Sequence, residues 1–269
     1  MTDGSVFDLP VLAASRWMFT CYAILGDDGS VVMVDAGLPS SAQGALNSLR
    51  GAGRQPEDVT AVLATHGHSD HVGGMSTVLD QTAARALLPE RCRHYLEGET
   101  PRNFGVDANV RFLPMMGQHP FKPAALRELA QVGRTDGYGR RPTFALPFIP
   151  SGYLADGDPV PGGPGWTVIA TPGHTDDSIS LYHADSATLM SGDEVLTHDG
   201  RAWFNPEWVD RRAHSATEER LRALDVRYLL PGHGRPVEGD VWGRARSAGE
   251  CPPGRGILTR CARRFGRWG

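Results

Sequence analysis

The sequence is almost devoid of lysine: Lys122 is the sole one, set against 26 arginines. A Schiff-base mechanism or a Walker-type phosphate loop would have to use it, and its neighbours Pro120, Phe121 and Pro123 suit neither. Cysteine is scarce too. Cys21, Cys92, Cys251 and Cys261 form no Cys-x-x-Cys pair, which argues against a thiolate zinc site or a disulfide scaffold and predicts reduced thiols in a cytoplasmic protein. No apolar run approaches the ~20 residues that a bilayer requires, so no membrane partner is expected. The first ten residues lack the basic and apolar segments of a secretory leader. Neither sign of charge dominates: 27 basic and 31 acidic side chains leave a net charge of −4, which offers the whole molecule no electrostatic basis for binding nucleic acid.

What is present is 269 residues, 40% of them hydrophobic, enough for one sizeable core without covalent staples. Residues 16–25 and 31–34 read as two strands joined by the Asp27-Asp28-Gly29 turn. Ala42, Ala45, Leu46 and Leu49 recur at helical spacing, which predicts a helix over 39–50 stopped by Gly51 and Gly53. Residues 59–65 form an apolar run of the kind buried on both faces of a sheet, and 72–82 read as a helix. Strands are predicted at 166–171, 178–183, 187–190 and 227–230, with a helix over 206–224. The stretch from about 89 to 150 is rich in proline, phenylalanine and methionine, with helical spacing only over 122–132. It reads as an insertion carried by a single domain spanning 1–242. Two roles are open to it, an apolar lid over a site or ordinary packing. The tail, 243–269, holds seven arginines against one acid, Glu250, and reads as a flexible segment or a basic tether.

Five of the ten histidines, with two aspartates, fall in four places, and each place follows an apolar strand. They are His66-Gly67-His68-Ser69-Asp70-His71, then Pro172-Gly173-His174, Gly192-Asp193 and Gly232-His233. Loops beyond the carboxyl ends of strands can converge on one spot. Imidazole and carboxylate bind zinc, iron or manganese in hydrolytic sites. Seven groups exceed what one four-coordinate ion uses, and so favour two ions about 3.5–4 Å apart, with Asp193 as the bridging carboxylate. His94, His119, His183 and His214 read as structural histidines.

At these positions the sequence resembles the metallo-β-lactamase superfamily, whose signature is His-x-His-x-Asp-His followed by a histidine, an aspartate and a histidine. The resemblance covers about residues 15–240. It implies an α+β fold, a four-layer αβ/βα sandwich of two mixed sheets flanked by helices with the metals at the sheet edge. It further implies that His66, His68 and His174 hold one ion, that Asp70, His71 and His233 hold the other, and that Asp193 joins them. Asp35 matches the family's upstream aspartate, which orients the ligands. The implied cofactor is two zinc ions per chain, with iron or manganese as alternatives. The implied reaction is attack by a metal-bridging hydroxide on the carbonyl of an ester, thioester or lactone, with Asp70 passing a proton to the leaving group. The expected partner is therefore a small acyl or lactone substrate.

Departures narrow the set. The bridging aspartate sets the chain apart from true β-lactamases. A glyoxalase II-like enzyme would carry a helical domain beyond His233, where about 36 residues follow. Leu196 stands where acyl-homoserine lactonases of the family have tyrosine, and His198 in the same loop is a candidate to polarise a substrate. A persulfide dioxygenase-like iron enzyme and a metal-dependent nuclease remain as alternatives.

Overall fold

A computed structural model describes residues 4–139 and 141–268. Seven strands build the first sheet in chain order: β1 (Gly4–Ser5), β2 (Val11–Arg16), β3 (Phe19–Leu25), β4 (Val31–Val34), β5 (Val59–Leu63), β6 (Arg85–Pro89) and β7 (Gly152–Leu154). Pairing is antiparallel from β1 to β4 and parallel from β4 to β7. The second sheet uses β8 (Trp166–Ala170), β9 (Ile179–His183) and β10 (Thr188–Gly192). After a separate hairpin of β11 (Val195–His198) and β12 (Arg201–Phe204), it is completed by β13 (Tyr228–Pro231) and β14 (Val237–Glu238). Its order is β14-β13-β10-β9-β8, and β8, β10 and β13 all point the same way.

Alternation along the strands makes the layers. In β4, Val32 and Val34 face Trp166, Val168, Leu181 and Met190 of the second sheet, while Val31 and Met33 face the helices outside. Those helices are α1 (Pro39–Gly51), α2 (Ser69–Val72), α3 (Met75–Leu79) and α4 (Cys92–Leu96). Beyond the inserted helices α5 (Val106–Gly117) and α6 (Pro123–Val132), α7 (Arg211–Arg222) covers the other outer face through Leu221, packed with Leu189 and Leu229. The result is the four-layer αβ/βα sandwich.

Several expectations shift. The helix expected over 72–82 is split into α2 and α3, because Gly73 and Gly74 lie where the chain crosses other backbone. A Cβ on Gly74 would stand 2.3 Å from the Ala36 carbonyl oxygen. The helix expected from 206 begins only at Arg211, where Asp210 accepts hydrogen bonds from the Arg212 and Ala213 amides (3.0 and 3.1 Å). The inserted stretch holds three helices, not one, and α5 runs through Pro114. The tail, expected to be flexible, contains α8 (Ile257–Phe265), which packs along α5 and buries Thr259 and Ala262. Trp268 beyond it stacks on Trp203 of β12, with ring centroids 6.4 Å apart. Apolar positions every three or four residues in a basic segment are what make that docking favourable. Among the described residues, no helix is long and apolar enough to cross a membrane.

Candidate metal centre

Backbone ties bring the strand ends of the two sheets to one edge. The Tyr22 hydroxyl donates to the Pro231 carbonyl (2.8 Å), joining residues 209 apart in sequence, and the Thr20 amide donates to Gly232 O (3.0 Å). The Ile179 amide donates to Thr65 O (2.8 Å), tying β9 to the loop after β5. Gly232 answers a steric demand: a Cβ there would lie 2.4 Å from Asp193 Oδ1 and 2.9 Å from His71 Cε1.

All seven sequence-predicted residues meet at this edge. Six are buried, and Asp70, at the start of α2, is the most open of the set. The ligand atoms of His66, His68 and His174 lie within 4.8 Å of one another, as do those of Asp70, His71 and His233, and those of His66, His71 and Asp193. Asp193 reaches both groups: its carboxylate oxygens stand 3.0 Å from His233 Nε2, 3.3 Å from His71 Nε2 and 3.6 Å from His174 Nε2.

Outer contacts orient three of the rings. His71 Nδ1 faces Asp35 Oδ2 at 2.9 Å, and Asp35 also accepts from the Thr65 amide (2.7 Å). Asp35 itself sits at φ +56°, a left-handed conformation that a short polar side chain tolerates. His174 Nδ1 lies 3.0 Å from the Glu207 carbonyl, and His233 Nδ1 lies 3.0 Å from the Met18 carbonyl. These contacts hold the rings of His71, His174 and His233 so that their Nε2 atoms point inward.

Several of the inward atoms face one another across the centre without forming a hydrogen bond. His71 Nε2, His174 Nε2 and Asp193 Oδ1 are buried without a hydrogen bond, although such atoms are costly to leave unpaired. The electrostatics agree. Burial and the neighbouring His71 hold His66 well below the ordinary histidine range, and burial pulls His174 down to about 3. Burial opposes charge on His71 and His233 as well, but Asp193 outweighs it. His71 is raised well above the usual value and His233 to about 10. Asp193 is burdened by burial yet held well below its usual value by His233 and His71, and Asp70 likewise falls to about 2. The donor set therefore holds protons where divalent cations would provide the same positive charge, and the residues fit such ions.

His198 is not brought to the centre. It lies in β11, buried, with its ring 5.9 Å from Trp203 and its Nδ1 3.2 Å from Asp199, and it does not line the metal cleft. Other residues at the centre went unread in the sequence. Asp177 accepts from the Gly67 amide (2.7 Å), the Tyr138 hydroxyl and the Cys92 thiol (3.2 Å), and so holds the loop that carries His66 and His68. The Asp176-Asp177 pair directly after His174-Thr175 was its available signal. Asn205 Nδ2 donates to the Asp193 carbonyl (2.7 Å). Glu207 lines the cleft with its carboxyl pushed up to about 8 by burial and by the Asp193 charge.

Over the centre opens a cleft of about 310 Å³. Its outer wall is apolar: Trp17 and Met18 come from the β2–β3 turn, Phe104, Phe112 and Met116 from the loop before α5 and from α5, and Leu129 from α6. The inserted helices thus form one side of the cleft.

Comparison with known proteins agrees with this geometry. The profile of the metallo-beta-lactamase superfamily matches residues 17–233. The probable metallo-hydrolase YflN of Bacillus subtilis (strain 168) is 27% identical over 233 residues, 78% of this chain and 77% of that protein. The human metallo-beta-lactamase domain-containing protein 1 is 29% identical over 213 residues, covering 76% of this chain and 58% of its own. Among solved structures, a metallo-beta-lactamase family protein from Thermus thermophilus superposes with a TM-score of 0.58 at 21% identity, covering 87% of this chain and 76% of that one. The BLEG-1 B3 metallo-beta-lactamase superposes with a TM-score of 0.56 at 20% identity, covering 85% and 93%. At those identities the likeness is one of fold. With the profile spanning most of its length, the chain belongs to the metallo-beta-lactamase superfamily and is a metallo-hydrolase of it.

Proposed function

We propose that the chain is a dinuclear zinc hydrolase of carboxylic esters, thioesters or lactones with an apolar acyl portion. His66, His68 and His174 would hold one cation and Asp70, His71 and His233 the other, with Asp193 between them. The observation that carries this reading is the reach of Asp193 to His174 on one side and to His71 and His233 on the other, within 3.0–3.6 Å. Bound divalent cations supply a water whose pKa is lowered toward neutrality and a Lewis acid for the carbonyl.

The chain's own residues do the rest. Met18, Phe104, Phe112 and Met116 receive the acyl chain and exclude bulk water from the carbonyl. Asp70, the carboxylate most open to the cleft, receives the proton of the attacking water and hands it to the departing oxygen or sulfur as the C–O or C–S bond breaks. Asp35 and the Glu207 and Met18 carbonyls keep the histidine rings in register.

The test is elemental analysis of the purified chain joined to a panel of thioesters, esters, lactones and β-lactams. Two zinc ions per chain, with turnover of acyl substrates that both His68→Ala and Asp193→Ala abolish along with metal content, is the expected result. A single iron with oxygen-dependent turnover would favour the dioxygenase alternative.

A further inference from the structure

Trp17 lines both the metal cleft and a second, larger cleft of about 770 Å³. The two differ in chemistry. The second is walled by Gln118, His119, Lys122 and Arg235, and the single carboxylate among its lining residues, Asp199, is turned toward His198 Nδ1 at 3.2 Å. Arg16 also lines it, with its guanidinium held to the Ser15 carbonyl (3.2 Å). Neither the Lys122 ammonium nor the Arg235 guanidinium is paired with a carboxylate of the described residues.

These cations stand on a firm frame. Arg235 follows Gly234, at φ +100°, where a Cβ would lie 2.2 Å from Thr197 Oγ1. The Thr197 hydroxyl donates to the Arg235 carbonyl at 2.6 Å, and the Thr197 amide to His233 O at 3.2 Å. The opposite wall is pinned by Gln118, whose amide nitrogen donates to Thr197 O at 2.8 Å. Trp17 occupies a left-handed backbone conformation, φ +62°, that a bulky residue adopts only at a cost. Two further nitrogens in these walls, Trp17 Nε1 and His119 Nε2, are buried without a partner. His119 is held down at about 4, by burial first and then by the charges of His233 and Arg235. A cleft with exposed cations unpaired with carboxylates, unsatisfied nitrogens and a single carboxylate among its lining residues suits an acceptor-rich anion.

We propose that this cleft binds an oxyanion, a phosphate or a carboxylate, carried on the alcohol or thiol half of the substrate whose acyl half enters the metal cleft. The division rests on the hydrolase reading above: the small apolar cleft takes the acyl chain, and the larger polar one takes the leaving half. Lys122 and Arg235 are the residues that recognise it.

The test titrates inorganic phosphate and acetate by calorimetry into the metal-loaded full chain and into its Lys122→Gln/Arg235→Gln variant. Affinity for at least one anion should fall about tenfold or more in the variant and weaken with added salt. The Lys122→Arg/Arg235→Lys variant should recover most of it. Anion held only by the bound metal ions binds all three proteins alike, so equal affinities overturn the proposal. A kinetic arm uses butanoyl thioesters of 2-mercaptoethanol, 3-mercaptopropionate and 2-mercaptoethyl phosphate. In the glutamine variant the KM of a charged thioester should rise about tenfold relative to the neutral one, and whichever is affected more identifies carboxylate or phosphate. An unchanged KM ratio counts against the site. If none of these thioesters is cleaved, the thioester branch of the hydrolase reading fails while calorimetry still decides the anion site.

Discussion

Replacing Asp177 with alanine should unseat the loop that carries His66 and His68. The side chain is 2% exposed and accepts from the Gly67 amide, the Tyr138 hydroxyl and the Cys92 thiol. A hydrogen bond to an ionised acceptor contributes about 1.5–3 kcal/mol, and a donor left buried without a partner costs a similar amount. Counting the amide and hydroxyl fully and the thiol as weak, the change should cost about 3–5 kcal/mol of folding stability. The site should also loosen, because the amide of Gly67 lies between two of the proposed ligands, and Tyr138 packs on the His68 ring at 4.7 Å. Losing a residue that supports ligands lowers metal affinity by about 10–100-fold. Urea unfolding of the metal-free protein measures the first effect, and competition with a chromophoric chelator for zinc measures the second. Asp177→Asn keeps the volume and one acceptor, so it should fall between wild type and alanine in both. A folded Asp177→Ala protein with the wild-type unfolding midpoint and zinc affinity would refute the role assigned to this carboxylate.

Other outcomes follow from the same geometry. Metal-free protein at neutral pH carries protons on His71, raised well above the usual histidine value, and on His233, raised to about 10. Zinc loading must displace both, so calorimetry in buffers of different ionisation enthalpy should register about two or more protons released, and affinity should rise with pH; proton-neutral binding would contradict that assignment. Gly74→Ala forces a methyl against the Ala36 carbonyl oxygen and should destabilise the fold by about 2–4 kcal/mol in denaturant melts, although alanine is the better helix former. Burial depresses His214 to about 4 in the fold, below its free value, so the unfolded chain binds the extra proton first. Its contribution to stability is whole above about pH 6.5 and declines toward pH 4 by about 3 kcal/mol, and His214→Gln should flatten that acid limb. Trp268→Ala removes the stack on Trp203 and should lower stability by about 1–2 kcal/mol and raise KM for apolar acyl substrates; an unchanged KM would separate the tail from the cleft.

Seven of the strands, β3, β4, β5, β8, β9, β10 and β13, and the seven residues clustered after strand ends were legible in the sequence, because both depend on short-range signals. A short β-branched apolar run such as Val31–Val34, preceded by an Asp-Gly turn, reads as a buried strand, and polar clusters with glycine after such runs mark the edge where loops converge. Other features were decided by contacts distant in sequence. Residues 72–82 have helical spacing, yet they break at Gly73-Gly74, where the Ala36 and Leu38 carbonyls occupy the space a side chain on Gly74 would need. The arginine-rich tail has the composition of a free end. Its residues Thr259 and Ala262 become buried only because α5, some 150 positions earlier, presents a face to them. Asp177 looks like a turn residue until folding brings Gly67, Cys92 and Tyr138 around it. His198 looks like a site residue by its position in the chain, and in the fold it is buried in β11 with its ring against Trp203 instead. Periodicity and local chemistry are written in neighbouring residues, whereas a hydrogen-bond partner or a filled cavity exists only once remote segments share a volume.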